Sequence, residues 1–389
     1  MIPREDLLQL AQVESKEGCA VTFYFQPQTP QDRSHREEAI LAKDMVREAL
    51  RKSERNGNHQ SLRDDLQKVL EVAEGLRGNH SRGKVILACR DLGIWREIDV
   101  PARLGRSQLT VNSRFNLKPL VTAVSGPPRA CVTLVDRKKA RMFELVGTGL
   151  VEMPTLEFGA VPKHGRSDGF QGYDAGHRER HVENEVMHHL KWFAESLQSL
   201  LTRDKFSALL IGCREDLWPE LDPLLHTDVR KKLAGRFLLD PVAATPEQVR
   251  ELAERILEKK HKTDQQWMVR EVIGEAQRNA RGAVGLRHAL TALERHEVQT
   301  LLVSRDFKAE AVQCTNCRHL DTRMVHQCAV CGKETHQLAD ITDALVDLAL
   351  RNGADISFVE GDPELEKAGH VAALLRFRGD QNSAGKVAV

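Results

Sequence analysis

The chain carries almost no net charge. Its 57 lysines and arginines face 56 aspartates and glutamates, a formal balance of +1. That excludes a uniformly basic nucleic-acid binder, so any basic surface must be local. Long apolar runs are missing as well. No stretch approaches the roughly 20 residues needed to cross a bilayer, and Met1-Ile-Pro-Arg-Glu-Asp6 has no apolar signal core. A cytoplasmic location with no membrane partner is therefore expected. No fixed period recurs, which excludes a repeat array. The remaining composition, 41% apolar and 29% charged, is that of a globular protein. At 389 residues the chain exceeds one ordinary core, and roughly two to four domains are expected.

Cysteine is used in two ways. Cys19, Cys89, Cys131 and Cys213 stand singly, most in apolar strand-like runs, where buried reduced thiols explain them better than disulfides. The other four form two pairs, Cys314-Thr-Asn-Cys317 and, ten residues later, Cys328-Ala-Val-Cys331. Each pair puts two sulfurs on one tight turn, and two such turns fill the four positions of a tetrahedral Zn²⁺. With four protein ligands no position stays open, so the zinc is read as structural. Gly332 follows the second pair, where such a turn calls for a residue tolerant of positive φ. The competing explanation is four unrelated buried cysteines. His319, His326 and His336 lie near enough to replace a thiolate, but read better as solvated loop residues.

Along the chain the pattern is α/β and multidomain, with three α/β domains. Residues 1–125 form the first. Ala20 to Phe25 is a β-branched and aromatic strand, and helices follow with stripes at Ala42, Met45, Val46, Ala49, Leu50 and at Leu62, Leu66, Val69, Leu70, Ala73, Leu76. Lys84 to Cys89, Ile98 to Val100 and Leu120 to Val124 read as strands. Residues 129–243 form the second domain. Ala130 to Val135 and Ala140 to Leu145 make a hairpin, a long helix runs from about Glu179 to Leu201, and Ser207 to Ile211 is a core strand. Val229 to Leu238 reads as helix and then strand. Residues 245–380 form the third, a small α/β/α layer with the zinc module inserted at 312–336. Thr245-Pro-Glu-Gln248 opens it as a capping box, with the helix ending near Lys259-Lys260 and a further helical stretch leading to Gly282. Further helices are expected around Arg287 to Arg295 and Ile341 to Arg351. Strands are expected at Val298 to Val303, Asp355 to Val359 and Val371 to Phe377.

The stretch 154–181 is rich in glycine and lacks periodicity, and a loop of that length is functional or disordered more often than incidental. Lys163, His164, Arg166, Gln171, His177, Arg178, Arg180 and His181 make it locally basic. Guanidinium groups and backbone N–H groups at a helix N-terminus both donate to phosphate, so these eight residues are the candidate RNA-binding set. Phe170 and Tyr173 can stack on bases. The competing reading is a solvated connection with incidental charge. His188 and His189 point about 100° apart on one helix, which argues against a shared metal ion.

The order of these parts resembles the archaeal and eukaryotic class-I release factor and Pelota family, in the bacterial branch that includes Balon-like ribosome hibernation factors. Residues 130–377 carry the likeness. Gly282-Ala-Val-Gly285, the run Ala289 to Val303, the CxxC insertion and Gly369 to Phe377 are similar to the family's third domain. The hairpin at 130–145 is similar to the start of its second domain. There the family has a Gly-Gly-Gln loop before a long basic helix, and this chain has Gly169-Phe170-Gln171 near that place. Phe170 stands where the family's second glycine allows the backbone bend, and phenylalanine does not readily adopt positive φ.

The resemblance implies a non-catalytic translation factor that binds ribosomal RNA at the A site, in rescue or hibernation. It also implies a partner in a translational GTPase such as elongation factor Tu. Two other readings stay open: a peptidyl-tRNA hydrolase with Gln171 as its catalytic residue, and a zinc-ribbon RNA-binding protein acting off the ribosome.

Overall fold

Ala20-Val-Thr-Phe-Tyr-Phe25 is apolar at nearly every position because both of its faces are covered. In the computed structural model, which describes residues 4–25, 36–56, 60–75, 82–101, 107–124, 129–146, 149–153, 175–204 and 206–379, this strand is β1. It follows helix α1 (Arg4–Gln12) and precedes α2 (Arg36–Asn56) and α3 (Gln60–Gly75). Strands β2 (Arg82–Cys89), β3 (Ile94–Pro101) and β4 (Gln108–Asn112) complete an antiparallel sheet in the order β3-β2-β1-β4. Val21, Phe23, Ile86 and Ala88 pack on Val46, Leu66 and Val69 of α2 and α3. The opposite face, with Tyr24, Val85 and Leu87, packs on α1 and on α4 (Lys118–Val124).

Helix α4 corrects the strand expected at Leu120 to Val124. Pro119 sits at the start of the helix, where its missing N–H costs nothing. Thr122 Oγ1 donates back to the Lys118 carbonyl at 2.8 Å, and Leu120, Val121 and Ala123 are buried. Burial of that face outweighs the β preference of Val and Thr.

The described chain divides into two compact units, Met1–Gly126 with Thr263–Val389, and Pro127–Lys262. The second is built on the hairpin of β5 (Ala130–Val135) and β6 (Ala140–Val146), as expected, and extended by β7 (Gly149–Glu152). After helix α5 (Ala175–Arg203), strand β8 (Ala208–Gly212) returns parallel to β5. The short helices α6 (Trp218–Leu221) and α7 (Thr227–Lys232) lead to β9 (Leu233–Phe237), parallel to β8, giving the order β7-β6-β5-β8-β9. Leu190, Phe193 and Leu197 of α5 cover one face through Cys131, Leu209 and Ile211. The other face, with Val132, Leu134 and Leu210, takes Val249, Ala253 and Leu257 from helix α8 (Pro246–Gln277).

The N-terminus of α8 is the expected capping box. Thr245 N–H donates to Gln248 Oε1 at 3.1 Å, and Gln248 N–H to Thr245 Oγ1 at 3.3 Å. Its end is a correction. The helix runs well past Lys259-Lys260 to Gln277, because no glycine or proline interrupts it before Gly274 and a basic cluster alone is a weak stop.

The remainder belongs to the first unit. β10 (Gly282–Val284), α9 (Leu286–Glu294) and β11 (Val298–Ser304) lead into the cysteine module. The module is a three-stranded antiparallel sheet, with β12 (Ala311–Cys314) between β13 (Leu320–Asp321) and β14 (Thr335–Leu338). Then come α10 (Thr342–Arg351), β15 (Asp355–Val359), α11 (Pro363–Lys367) and β16 (Val371–Leu375). The main sheet runs β10-β16-β11-β15, with β15 parallel to β11. Val269 and Val272 of α8, with Leu365 of α11, pack on Leu302 and Ala372 on one face. Leu290 and Leu345 of α9 and α10 join Leu301, Val303 and Ala373 on the other. That second cluster also holds Tyr24, Leu87 and Leu120, so this sheet and the N-terminal one share a continuous core.

Candidate metal centre

β12 ends at Cys314, and the chain turns at once. The N–H groups of Asn316 and Cys317 both donate to Cys314 Sγ at 3.4 Å, while Arg318 N–H donates to the Cys314 carbonyl at 3.1 Å. The second pair repeats the turn. Val330 N–H donates to Cys328 Sγ at 3.4 Å and Gly332 N–H to the Cys328 carbonyl at 2.9 Å. Gly332 has φ +71°, the conformation the sequence asked of it. Its counterpart in the first turn is Arg318, at φ +59°. Sequence reasoning missed that position because the residue there is not glycine.

Pairing of β12 with β14 brings the two turns together, with Cys314 opposite Thr335. Cys314 and Cys331 Sγ lie 3.4 Å apart, Cys317 and Cys328 Sγ lie 3.5 Å apart, and all four sulfurs fall within 4.8 Å of one another. A tetrahedral ZnS₄ centre with bonds of about 2.3 Å has sulfur–sulfur edges of about 3.8 Å, inside this range. The residues fit the ion. Cys314, Cys317, Cys328 and Cys331 would hold it and leave no position for substrate, and the ion would supply folding energy. Ala311, Val312 and Leu320 are the module's buried residues apart from Cys314, Cys328 and Asp321, a small core that a bound ion would supplement.

Electrostatics point the same way. The Cys331 thiol is held down at about 6, first by the Lys333 backbone N–H and then by the Cys314 side chain. Cys314 is lowered too, burial opposing and the Cys317 and Asn316 N–H donors prevailing. Cys317 moves up to about 12: the His319 N–H favours its thiolate, but burial and three neighbouring sulfurs overcome that. Four thiolates this close would repel one another, and a divalent cation would remove the conflict.

The nearby histidines stay outside. Among the described residues, the group at this site contains the four cysteines alone. His326 and His336 are exposed, as expected, but His319 is only 18% exposed and its Nδ1 meets Glu294 of α9 at 2.5 Å. The solitary cysteines are all buried and free, and burial pushes Cys19 up to about 11 and Cys131 up to about 12, so both stay protonated thiols.

Of the candidate RNA-binding set, Lys163, His164, Arg166 and Gln171 lie outside the described residues, as do Gly169 and Phe170. His177, Arg178, Arg180 and His181 fall in the first two turns of α5, with side chains outside those described. His188 is exposed. His189 is buried against the β5–β6 turn and stacks on Trp192, with ring centroids 6.1 Å apart.

Residues 116–261, which take in α4 and nearly all of the second unit, match the profile of the Bacterial archaeo-eukaryotic release factor family 10. Over 324 residues the chain is 24% identical to the Peptide chain release factor subunit 1 of Archaeoglobus fulgidus, covering 77% of both chains. Among solved structures, Archaeoglobus fulgidus Pelota aligns at 14% identity over 97% of this chain and 93% of its own, with a TM-score of 0.36. An archaeal Pelota in a ribosome-bound model with ABCE1 aligns at 16% identity over 76% of this chain and 78% of its own, with a TM-score of 0.42.

Proposed function

We propose that the chain, whose residues 116–261 match the bacterial archaeo-eukaryotic release factor family, is a non-catalytic translation factor that occupies the ribosomal A site in rescue or hibernation. The observation that carries this reading is the family match over residues 116–261, joined to the 324-residue likeness to a peptide chain release factor. In this reading residues 1–125, 129–243 and 245–380 act as three domains of a cytoplasmic factor. Lys163, His164, Arg166, Gln171, His177, Arg178, Arg180 and His181 follow the ribosomal RNA backbone toward the peptidyl-transferase centre. The third domain faces a translational GTPase such as elongation factor Tu, and zinc on the four cysteines keeps its inserted module folded.

Phosphate contacts release counterions, so association should weaken steeply as salt rises. Charge reversal at Arg166, Arg178 and Arg180 together should reduce co-sedimentation with ribosomes in a sucrose gradient. Pelleting of the triple variant as well as wild type across a salt series would remove the loop from the contact. Failure of wild type to sediment at all would favour a zinc-ribbon protein acting off the ribosome.

One sequence observation favours a second reading. Gly169-Phe170-Gln171 resembles the family's Gly-Gly-Gln closely enough for Gln171 to position water as a peptidyl-tRNA hydrolase. Hydrolysis there is a positioning problem that depends on the backbone bend glycine allows, and Phe170 opposes that bend. Purified protein should release no peptide from loaded ribosomes. Release that Gln171→Ala abolishes would promote the hydrolase.

A further inference from the structure

Arg318 ties the cysteine module to the N-terminal segment by hydrogen bonds. Its Nη2 donates to the Glu14 carboxylate and, at 3.2 Å, to Ser113 Oγ. The other Glu14 oxygen accepts from Arg114 Nη2 at 2.6 Å. Arg114 Nη1 meets Asp347 of α10 at 3.2 Å, and Asp347 meets Arg351 Nε at 3.2 Å. Gln12, at the end of α1, donates to the Arg351 carbonyl at 3.1 Å. Three cations and two anions from four distant segments thus alternate in one line. Arg114 and Asp347 are the most withdrawn from water, at 15% and 21% exposure, and charge pairs there weigh more than at the surface; Glu14, at 42%, is the most exposed member of the line.

Arg318 reaches this line only in a left-handed backbone, which an L residue with a side chain disfavours. Its N–H bond to the Cys314 carbonyl, part of the cysteine turn, keeps it there. A metal on Cys314 and Cys317 fixes that turn. Without the metal the turn loosens, Arg318 relaxes to negative φ, and its side chain swings off Glu14. A cavity of about 470 Å³, lined by Asn112, Arg114, Arg318 and Asp343, gives it room to withdraw. The segment it touches depends on its contacts for order, since Glu14 also meets Arg114 and Gln12 meets the Arg351 carbonyl. α1 has nine residues, too few to persist alone, and anchors through Leu7, Leu10 and Ala11.

We infer that the four-cysteine centre is a metal-dependent latch: with the ion bound, the first cysteine turn holds Arg318 on Glu14 and tightens the docking of α1, and loss of the ion loosens α1 while the main sheet stays folded.

Amide hydrogen exchange on the full chain tests this, read on a peptide covering residues 4–14 and on the amides of β11 and β16. Stripping zinc with a chelator should raise exchange of 4–14 roughly tenfold, and adding Zn²⁺ back should restore it, with β11 and β16 unchanged. Arg318→Ala should keep its zinc yet show the same rise, and chelation of that variant should add nothing further at 4–14. The latch is overturned if 4–14 does not respond to zinc, or if Arg318→Ala leaves it at the wild-type rate. It is equally overturned if β11 and β16 open in step with it, which would make the centre a staple for the whole unit. None of these readouts depends on ribosome binding.

Discussion

Cys314 and Cys331 bring their sulfurs to within 3.4 Å of each other across 17 positions of sequence. The β12–β14 ladder sets that distance, so the ligand pair depends on strand pairing as much as on the cysteines. Protein purified without chelator should carry about one zinc per chain by elemental analysis. Cys317→Ser should lose most of it and melt its module earlier, because binding free energy at such a site is folding free energy. A metal-free preparation with native spectra would end the zinc assignment.

Thr245 and Gln248 close the N-terminus of α8 reciprocally, and Val249 and Ala253 just beyond are core residues of the second unit. Thr245→Ala should destabilise that unit by about 1 kcal/mol, read as a shift in urea midpoint at constant slope. An unchanged midpoint would mean the cap carries no weight.

Burial of His189 should make the second unit acid-sensitive. Burial pushes its imidazole below 6.5, with Asp136 and the backbone at Lys139 and Asp136 pulling weakly the other way. Well above about pH 6.5 the group is neutral whether folded or unfolded, and stability is at its full value. As pH falls below that, the unfolded imidazole takes a proton that the folded one resists, so stability drops. His189→Phe, which keeps a ring beside Trp192, should flatten this loss as pH falls through about 6.5 in urea titrations. Parallel pH profiles for the two proteins would show that burial of His189 does not govern the slope.

Much of this was legible in the chain. The doubled CxxC spacing names its four ligands, and the Thr245 box, the 130–145 hairpin and the stripe along α5 are local signals that survive folding. What was not legible depends on partners far away in sequence. Leu120 to Val124 looks like a strand until the surfaces it packs between are known, and α8 looks finished at Lys260 because its second half packs on Leu302 and Ala372. Arg318 carries no glycine to advertise its positive φ, and nothing in its neighbourhood points to Glu14, 304 positions away.

The most direct measurement of the central claim is equilibrium binding of the purified full chain to ribosomes in two states, one with a vacant A site and one with that site filled by tRNA. Saturable, salt-sensitive binding to the vacant ribosome that falls away when tRNA occupies the A site is the expected result. Equal binding to both, or none to either, would contradict an A-site factor.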